Sequence, residues 1–392
     1  MDQWCFVLTI HHAAYDAWSI PLLLKQVERA YQGKPLPQQP FAPYLHLLKA
    51  KDEEQLRVWN GQIPKTVASC IHEVIWSKCQ GQPAALAVAS WDGDLTYGEL
   101  DHLSSKFAAH LANDRRVNLG DCVPLLFEKS KWIVVAMLAV LKTGVAFVLL
   151  DPSHPIQRLQ SIFATVKACL LLCSSKQTAC AVEVAEKVVV LDDQIQFRDV
   201  HDKLFRSGEP FGPAYAVFTS GTTATPKGVV ITHASYLTSA KSHIKAFRLG
   251  LTSRILQFAS FSFDASILEI LSTLLARGSL CIPSEEEKLN NIAGCIRQFG
   301  VKWLHLTPTV ARLLRPEDVT SVTSLVLVGE KMSEADVATW APKVKLISGK
   351  RNCDKLRYLT SSWTPETWSQ YRLAAATVNT TMEQPVHTEL EM

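Results

Sequence analysis

The feature that most restricts this chain is an alternation that runs from about residue 95 to 348. Short apolar runs (DCVPLLFE, VAFVLLD, ACLLLCS, KVVVLD) alternate with stretches of helical spacing (LTYGELDHLSSKFAAHLAND, KWIVVAMLAVLKTG, PIQRLQSIFATV). The same grammar returns after Tyr215 as AYAVFTS, RILQFAS, SLCIPS, KWLHLTP, SLVLVG and KVKLIS, separated by THASYLTSAKSHIKAF, SILEILSTLLARG and NIAGCIRQFG. Strands that are apolar throughout are buried on both faces. Repeated β-α units of this kind predict mostly parallel sheets covered by helices, in two successive halves. The run WIVVAMLAVL, Trp132 to Leu141, is too short for a bilayer, which needs roughly 20 residues, and is predicted to be a buried helix.

The chain has 392 residues, 47% hydrophobic and 20% charged, enough to bury a large core across two or three domains. A net charge of +3 with scattered lysines and arginines argues against a nucleic-acid partner, and no apolar run argues for a membrane. Ten cysteines include no C-x-x-C pair, so no zinc knuckle is expected. The start, MDQWCFVLTIHHAAYDAW, lacks a basic stretch followed by an apolar one, which predicts a cytoplasmic chain with reduced thiols. A proline-rich break, KPLPQQPFAP, follows the first helical stretch, and a domain boundary is placed between about residues 57 and 66. SEEEK, Ser284 to Lys288, reads as a solvated loop. After Gly349 the pattern changes: residues 350–392 show no clear strand and are expected to be poorly ordered, with Trp363 and Trp368 outside any core.

The polar string TSGTTATPKG, Thr219 to Gly228, follows an apolar strand and precedes a helical stretch. Backbone amides in a glycine-containing turn converge on anions, and hydroxyls with a lysine suit phosphate. The pattern is not G-x-x-x-x-G-K-[ST], because Pro226 stands at the second glycine and Gly228 follows Lys227. A polar strand-to-helix turn without a ligand is the plainer alternative.

The ordered string resembles the phosphate loop of adenylate-forming enzymes, more narrowly the adenylation domains of fungal-type nonribosomal peptide synthetases. LTYGEL (Leu95 to Leu100), LKTGVAFVLLDPSHPIQRL (Leu141 to Leu159), FSFDASILEI (Phe261 to Ile270) and LHLTPTVARLL (Leu304 to Leu314) resemble further motifs of that family, in its order and spacing. The resemblance implies the large N-terminal lobe of that fold, two stacked β/α subdomains, over residues 57–349. It implies that ATP and an amino acid give an aminoacyl-AMP, with Thr219, Ser220, Gly221, Thr222, Thr223, Lys227 and Gly228 around the phosphates. Asp264 matches the aspartate that pairs with the substrate's α-ammonium; the alternative is a helix N-cap. Ala265, Leu268, His305, Val326 and Val328 align with pocket positions. Their mostly apolar character points to a hydrophobic amino acid, although each also reads as ordinary core. Ala224 replaces a usual glycine and Leu149 a usual proline.

HHAAYDAWS, with His11, His12 and Asp16, resembles the condensation-domain motif, His12 being the functional position and Ala17 replacing a glycine. Residues 1–56 are too few for such a domain, so this remnant is expected to be vestigial. Toward the other end, KLISGKRNCDKL, Lys345 to Leu356, stands where the family carries an N-x-Y-G-P-T-E-like motif whose aromatic residue contacts adenine and whose glutamate helps hold Mg2+. Phosphopantetheine is expected only on a separate carrier domain, acting in trans. These departures imply a truncated domain with little or no activity of its own. A non-catalytic nucleotide- or partner-binding remnant is the competing reading, and an unrelated ATP-binding protein a distant third.

Overall fold

The continuously apolar runs form the strands of two sheets, and the periodic stretches form helices that cover them. The structure, a computed structural model, describes residues 65–113, 117, 120–195, 208–219, 227–352 and 355–362, with Gln32 by itself. In chain order the strands are β1 (Leu86–Ser90), β2 (Leu95–Thr96), β3 (Cys122–Leu126), β4 (Ala146–Leu150), β5 (Leu171–Cys173), β6 (Val188–Val190) and β7 (Pro213–Thr219). They continue as β8 (Lys227–Thr232), β9 (Arg254–Leu256), β10 (Ser279–Ile282), β11 (Trp303–Leu306), β12 (Ser324–Leu327), β13 (Lys345–Asn352) and β14 (Lys355–Ser362). The helices are α1 (Ile71–Gly81), α2 (Tyr97–Asn113), α3 (Lys131–Lys142), α4 (Ile156–Thr165), α5 (Thr178–Val184) and α6 (His233–Phe247). After them come α7 (Asp264–Ile267), α8 (Thr273–Leu275), α9 (Glu285–Asn290), α10 (Ile292–Gln298), α11 (Pro308–Ala311) and α12 (Glu334–Trp340), with a π turn, Leu268–Ser272, joining α7 to α8.

One sheet has the order β14-β13-β12-β11-β9-β10-β1-β2, the other β6-β5-β3-β4-β7-β8. Both are parallel inside, for example Leu125 beside Leu149 and His305 beside Val326. Among the described residues antiparallel pairs occur only at edges: β1 with β2, β13 with β14, and β7 with β8. This is the two-sheet α/β arrangement expected from the sequence. No described helix is long and apolar enough to cross a membrane.

α3 explains why two sheets are needed. Every residue from Trp132 to Lys142 is buried. The helix contacts β1 of one sheet and β3 and β4 of the other, and its side chains share one core cluster with Val88 and Leu280 on one side and Leu125 and Phe147 on the other. A helix that is apolar all round must be enclosed. It stops at Gly144, whose φ of 80° lies in the left-handed region that glycine tolerates best. Just before the stop, Lys142 is buried, and its Nζ lies 2.6 Å from Asp101 Oδ1 and 2.8 Å from both Ser104 Oγ and Ser105 Oγ. Burial pushes this ammonium below its usual pKa, and Asp101 opposes the shift.

The structure corrects three expectations. Ser284 to Lys288 is not a loop: Ser284 caps α9 by accepting from the Glu287 backbone N–H at 3.2 Å, and Glu287 Oε2 accepts from the Ser284 N–H at 3.2 Å. That Ser-x-x-Glu spacing is a helix-start signal. Residues 355–362, expected to show no strand, form β14 against β13, with Gly349 beside Thr360. β8, between the polar loop and α6, was also missing from the sequence reading. Trp363 and Trp368 lie outside the described residues.

Two stability predictions follow from these buried polar groups. Asp101→Ala leaves the Lys142 ammonium buried without its carboxylate and should lower unfolding stability in urea by about 3–5 kcal/mol. Lys142→Met, which removes the charge but keeps the volume, should cost clearly less; an equal or larger loss would show that the pair is not the constraint. The second concerns His243, buried with its Nε2 2.6 Å from Ser272 Oγ and pushed down to about 4 by burial. An unfolded imidazole binds a proton below about 6.5 that the folded one refuses. Stability is therefore complete above about pH 6.5 and falls as the pH drops toward 4, by up to roughly 3 kcal/mol for this group. Between pH 6.5 and 5 the wild-type stability curve should be steeper than that of His243→Gln. Equal slopes would mean that His243 is protonated in the folded protein.

Candidate functional site

The polar run grows out of the hairpin β7–β8. Phe218 pairs with Gly228 and Thr219 with Lys227, so the run connects two antiparallel strands at the edge of their sheet. The strand-to-helix turn read from the sequence is corrected here: the β-branched run Val229-Val230-Ile231-Thr232 makes β8 first, and Thr232 then caps α6 by accepting from the Ser235 N–H at 3.2 Å. Ser220, Gly221, Thr222, Thr223 and Ala224 lie outside the described residues. Gly228 has a steric reason, since a Cβ there would sit 3.0 Å from Phe218 Cζ. Glycine thus lets the Phe218 ring lie across β8, next to the turn.

The motif segments leave their sheets at the carboxyl ends of strands, where open α/β sheets place ligands. Asp151 follows β4, the polar turn follows β7, and residues 257–263 follow β9 of the other sheet. The two sheets are tied here. Ser260 Oγ donates a very short hydrogen bond to Asp151 Oδ2, and Ser262 Oγ lies 3.0 Å from His154 Nε2. Burial pushes the Asp151 carboxyl up, but hydrogen bonds from Ser153 and Ser260 outweigh it and hold the group below its usual value. A small cavity of about 10 Å³ lies at this seam, lined among others by Leu149, Asp151, Arg158, Phe218, Phe261 and Ile267. It has room for about one water molecule. Phe218 belongs to the strand that carries the polar turn, and Ile267 to the helix that begins at Asp264. β7 and α7 therefore border one cavity.

Asp264 is the first residue of α7 and is buried. It is not the N-cap, which is Phe263, and no side chain caps this helix. That removes the capping explanation for this aspartate. Ala265 and Leu268, one and four positions on, are buried as well. Leu268 packs in one cluster with Val326, Phe247, Ile255, Trp303 and Ile347, and Val328 lies against it. His305 is beside Val326 in the sheet and stacks on Trp303, ring centroids 5.8 Å apart. The structure thus gathers Leu268, His305, Val326 and Val328 around one apolar patch. His12 lies outside the described residues.

Two polar residues that the sequence reading missed hold this region in place. Glu269 is buried, and its carboxylate accepts from Phe258 N at 3.0 Å, Ala259 N at 3.1 Å and Gln257 Nε2 at 3.2 Å. Its Oε1 is 3.6 Å from His305 Nδ1. Lys129 Nζ donates to the Phe258 carbonyl at 2.5 Å and lies 3.5 Å from Glu285. Burial, with Lys288 nearby, pushes Lys129 down to about 7. Together they fix the segment between β9 and α7 that delivers Asp264. The one signal in the sequence was a charged residue in an otherwise apolar helix, SILEILSTLL.

The family's glutamate for Mg2+, expected to be missing from this chain, has no counterpart along β13. β13 reads KLISGKRN and contains no carboxylate, so no step below is routed through a metal ion.

This geometry accords with known proteins. The sequence profile of the AMP-binding enzyme family matches residues 75–349. The chain is 44% identical over 307 residues to the N-benzoylphenylalaninol synthetase apmA of Penicillium brevicompactum, a match covering 78% of this chain and 13% of that protein. It is 44% identical over 326 residues to the nonribosomal peptide synthetase otaB of Aspergillus carbonarius, covering 82% of this chain and 17% of that protein. The chain thus spans less than a fifth of the length of either relative. Among solved structures, the nonribosomal peptide synthetase FmoA3 in its alpha-methyl-L-serine-AMP bound form superposes with a TM-score of 0.70 at 20% identity, over 77% of this chain and 35% of that one. The Klebsiella oxytoca NpsA N-terminal subdomain in complex with 3-hydroxyanthranilyl-AMSN gives 0.66 at 21% identity, over 76% and 77%. At such identities these likenesses show the fold, that of the N-terminal subdomain of adenylate-forming enzymes. With the family profile spanning most of its length and fungal peptide synthetases as its relatives, the chain belongs to the AMP-binding enzyme family.

Proposed function

We propose that this lobe binds ATP and an amino acid and serves their conversion to aminoacyl-AMP and pyrophosphate, in the assembly of a secondary metabolite. The observation that carries this reading is the seam where β7, which leads into the polar turn, and α7, which begins at Asp264, line one cavity. In the reaction a carboxylate oxygen of the amino acid attacks the α-phosphorus. The bond to the bridging oxygen breaks, and pyrophosphate leaves with that electron pair. Positioning and charge neutralisation carry such chemistry. Lys227 and the amides and hydroxyls of Thr219, Ser220, Gly221, Thr222, Thr223 and Gly228 would hold the β- and γ-phosphates. Asp264 would pair with the α-ammonium, a strong discriminator because an unmatched buried charge is costly. Ala265, Leu268, His305, Val326 and Val328 would border a hydrophobic side chain. The acyl group would then pass to the phosphopantetheine thiol of a carrier protein, releasing AMP.

A specific observation favours a second reading, a lobe that binds but adenylates slowly. Where the family carries its adenine and magnesium motif, β13 runs on as a strand through Asn352 and pairs with β14. Loss of one charge-assisted contact at about 2–4 kcal/mol would slow the step by roughly two to three powers of ten, and loss of the adenine contact would weaken nucleotide binding besides.

Calorimetric titration with phenylalanyl-sulfamoyladenosine, an unreactive adenylate mimic, tests the site. The mimic should bind more tightly than AMP. Asp264→Ala should weaken it at least tenfold, and Lys227→Ala should weaken ATP while leaving the mimic nearly unchanged. Equal affinity for AMP and the mimic, unaltered by Asp264→Ala, would refute the amino-acid role. Amino-acid-dependent ATP–pyrophosphate exchange by the purified 392-residue chain should stay near background. Robust exchange, abolished by Asp264→Ala, would reject the slow-lobe reading and keep the first.

A further inference from the structure

At the start of α1, far in sequence from the motifs above, three potential metal ligands fall within four residues. Cys70 is fully buried at the N-cap of the helix, His72 is 2% exposed, and Glu73 is exposed. One ligand atom of each, the Cys70 thiol sulfur, a His72 ring nitrogen and a Glu73 carboxylate oxygen, lies within 4.8 Å of the others. Among the described residues neither ring nitrogen of His72 has a hydrogen-bond partner. A buried imidazole without partners forfeits the hydrogen bonds it would make in water, so its burial calls for a compensating contact.

We propose that Cys70, His72 and Glu73 form a binding site for a zinc ion, with water as the fourth ligand. The donor set is the argument. A thiolate, an imidazole and a carboxylate together suit zinc, whereas magnesium and calcium prefer oxygen alone. Bonds of about 2.0–2.3 Å in a tetrahedron set the donors roughly 3.3–3.8 Å apart. The three atoms are within reach of that spacing, and the exposed Glu73 side chain can supply most of the closure by a change of rotamer. Glu73 Oε2 now accepts from Cys70 N at 3.2 Å, a contact that such a rotamer change would exchange for the metal bond. Gly208 covers the inner side: a Cβ there would lie 2.9 Å from Cys70 Sγ and 3.0 Å from His72 Cε1. The open side is that of Glu73, through which an ion can enter.

The position gives the ion something to hold. Ile71 N donates to His233 Nδ1 at 3.2 Å, and the His72 and His233 rings meet edge to face, centroids 5.6 Å apart. His233 begins α6, directly after β8. A cation here would stiffen the first turn of α1, the turn that packs against the start of α6, without touching the crevice between the sheets. The site does not depend on the adenylation reading.

Cobalt(II) titration of the full-length protein tests it. One equivalent should produce a thiolate-to-cobalt charge-transfer band with tetrahedral ligand-field absorption, and zinc should bleach it. Cys70→Ser and His72→Gln should each abolish the band, while Cys169→Ser, which changes an exposed cysteine elsewhere, should keep it. Absence of the band at one equivalent, or its survival in Cys70→Ser, overturns the proposal. Should the two buried variants fail to fold, Glu73→Gln decides, because that side chain is exposed: zinc should raise the wild-type melting temperature, and the cobalt affinity of Glu73→Gln should be at least tenfold weaker. No zinc-dependent rise, or equal cobalt affinities, overturns it.

Discussion

A helix with no polar face sets the terms for this fold. α3 buries every residue from Trp132 to Lys142, so neither sheet alone can satisfy it: one face of the helix would remain in water. Enclosing it between two parallel sheets removes that surface and at the same time stacks the two β/α halves. The one charged residue in that stretch, Lys142, is accepted because Asp101, Ser104 and Ser105 of α2 converge on its ammonium. That cluster fixes α2 against the end of α3, and a buried charge with satisfied donors specifies one arrangement more sharply than another leucine would.

The candidate site is a consequence of the stacking. Because both sheets are parallel inside, their strands release loops at their carboxyl ends, and the stack brings loops of one sheet against loops of the other. The hydrogen bonds Ser260–Asp151 and Ser262–His154 close the seam. Behind it, the Glu269 carboxylate and the Lys129 ammonium hold Phe258 and Ala259 by their backbone groups. Asp264 is thereby placed by a rigid support rather than by a free loop. Such support suits the role proposed for Asp264, since a misplacement of about 1 Å can cost two orders of magnitude in rate.

Much of this was legible in the sequence, for identifiable reasons. Runs such as VAFVLL and SLVLV could only be doubly buried strands, and WIVVAMLAVL only an enclosed helix. The seam motifs were legible as a family pattern, and the structure brings the strand before one of them, β7, and the helix that begins in the other, α7, to one cavity. What escaped was encoded in weaker signals. β8 begins with Lys227 and Gly228, residues that read as loop, and only its β-branched second half argues for a strand. β14 pairs at an edge, where polar residues are tolerated and periodicity is faint. α9 is announced by its cap rather than by an apolar face. Glu269 was hidden because its partners are backbone groups ten and eleven positions away, which no residue pattern displays.

The account rests on Asp264 and the polar turn serving one ligand from opposite ends. A crystal structure of the protein with phenylalanyl-sulfamoyladenosine tests this most directly. The account predicts the ligand across the seam between the two sheets, its α-ammonium within about 3 Å of the Asp264 carboxylate and its sulfamoyl group toward the turn between Thr219 and Gly228. A ligand seated elsewhere, or with its ammonium in solvent away from Asp264, would contradict it.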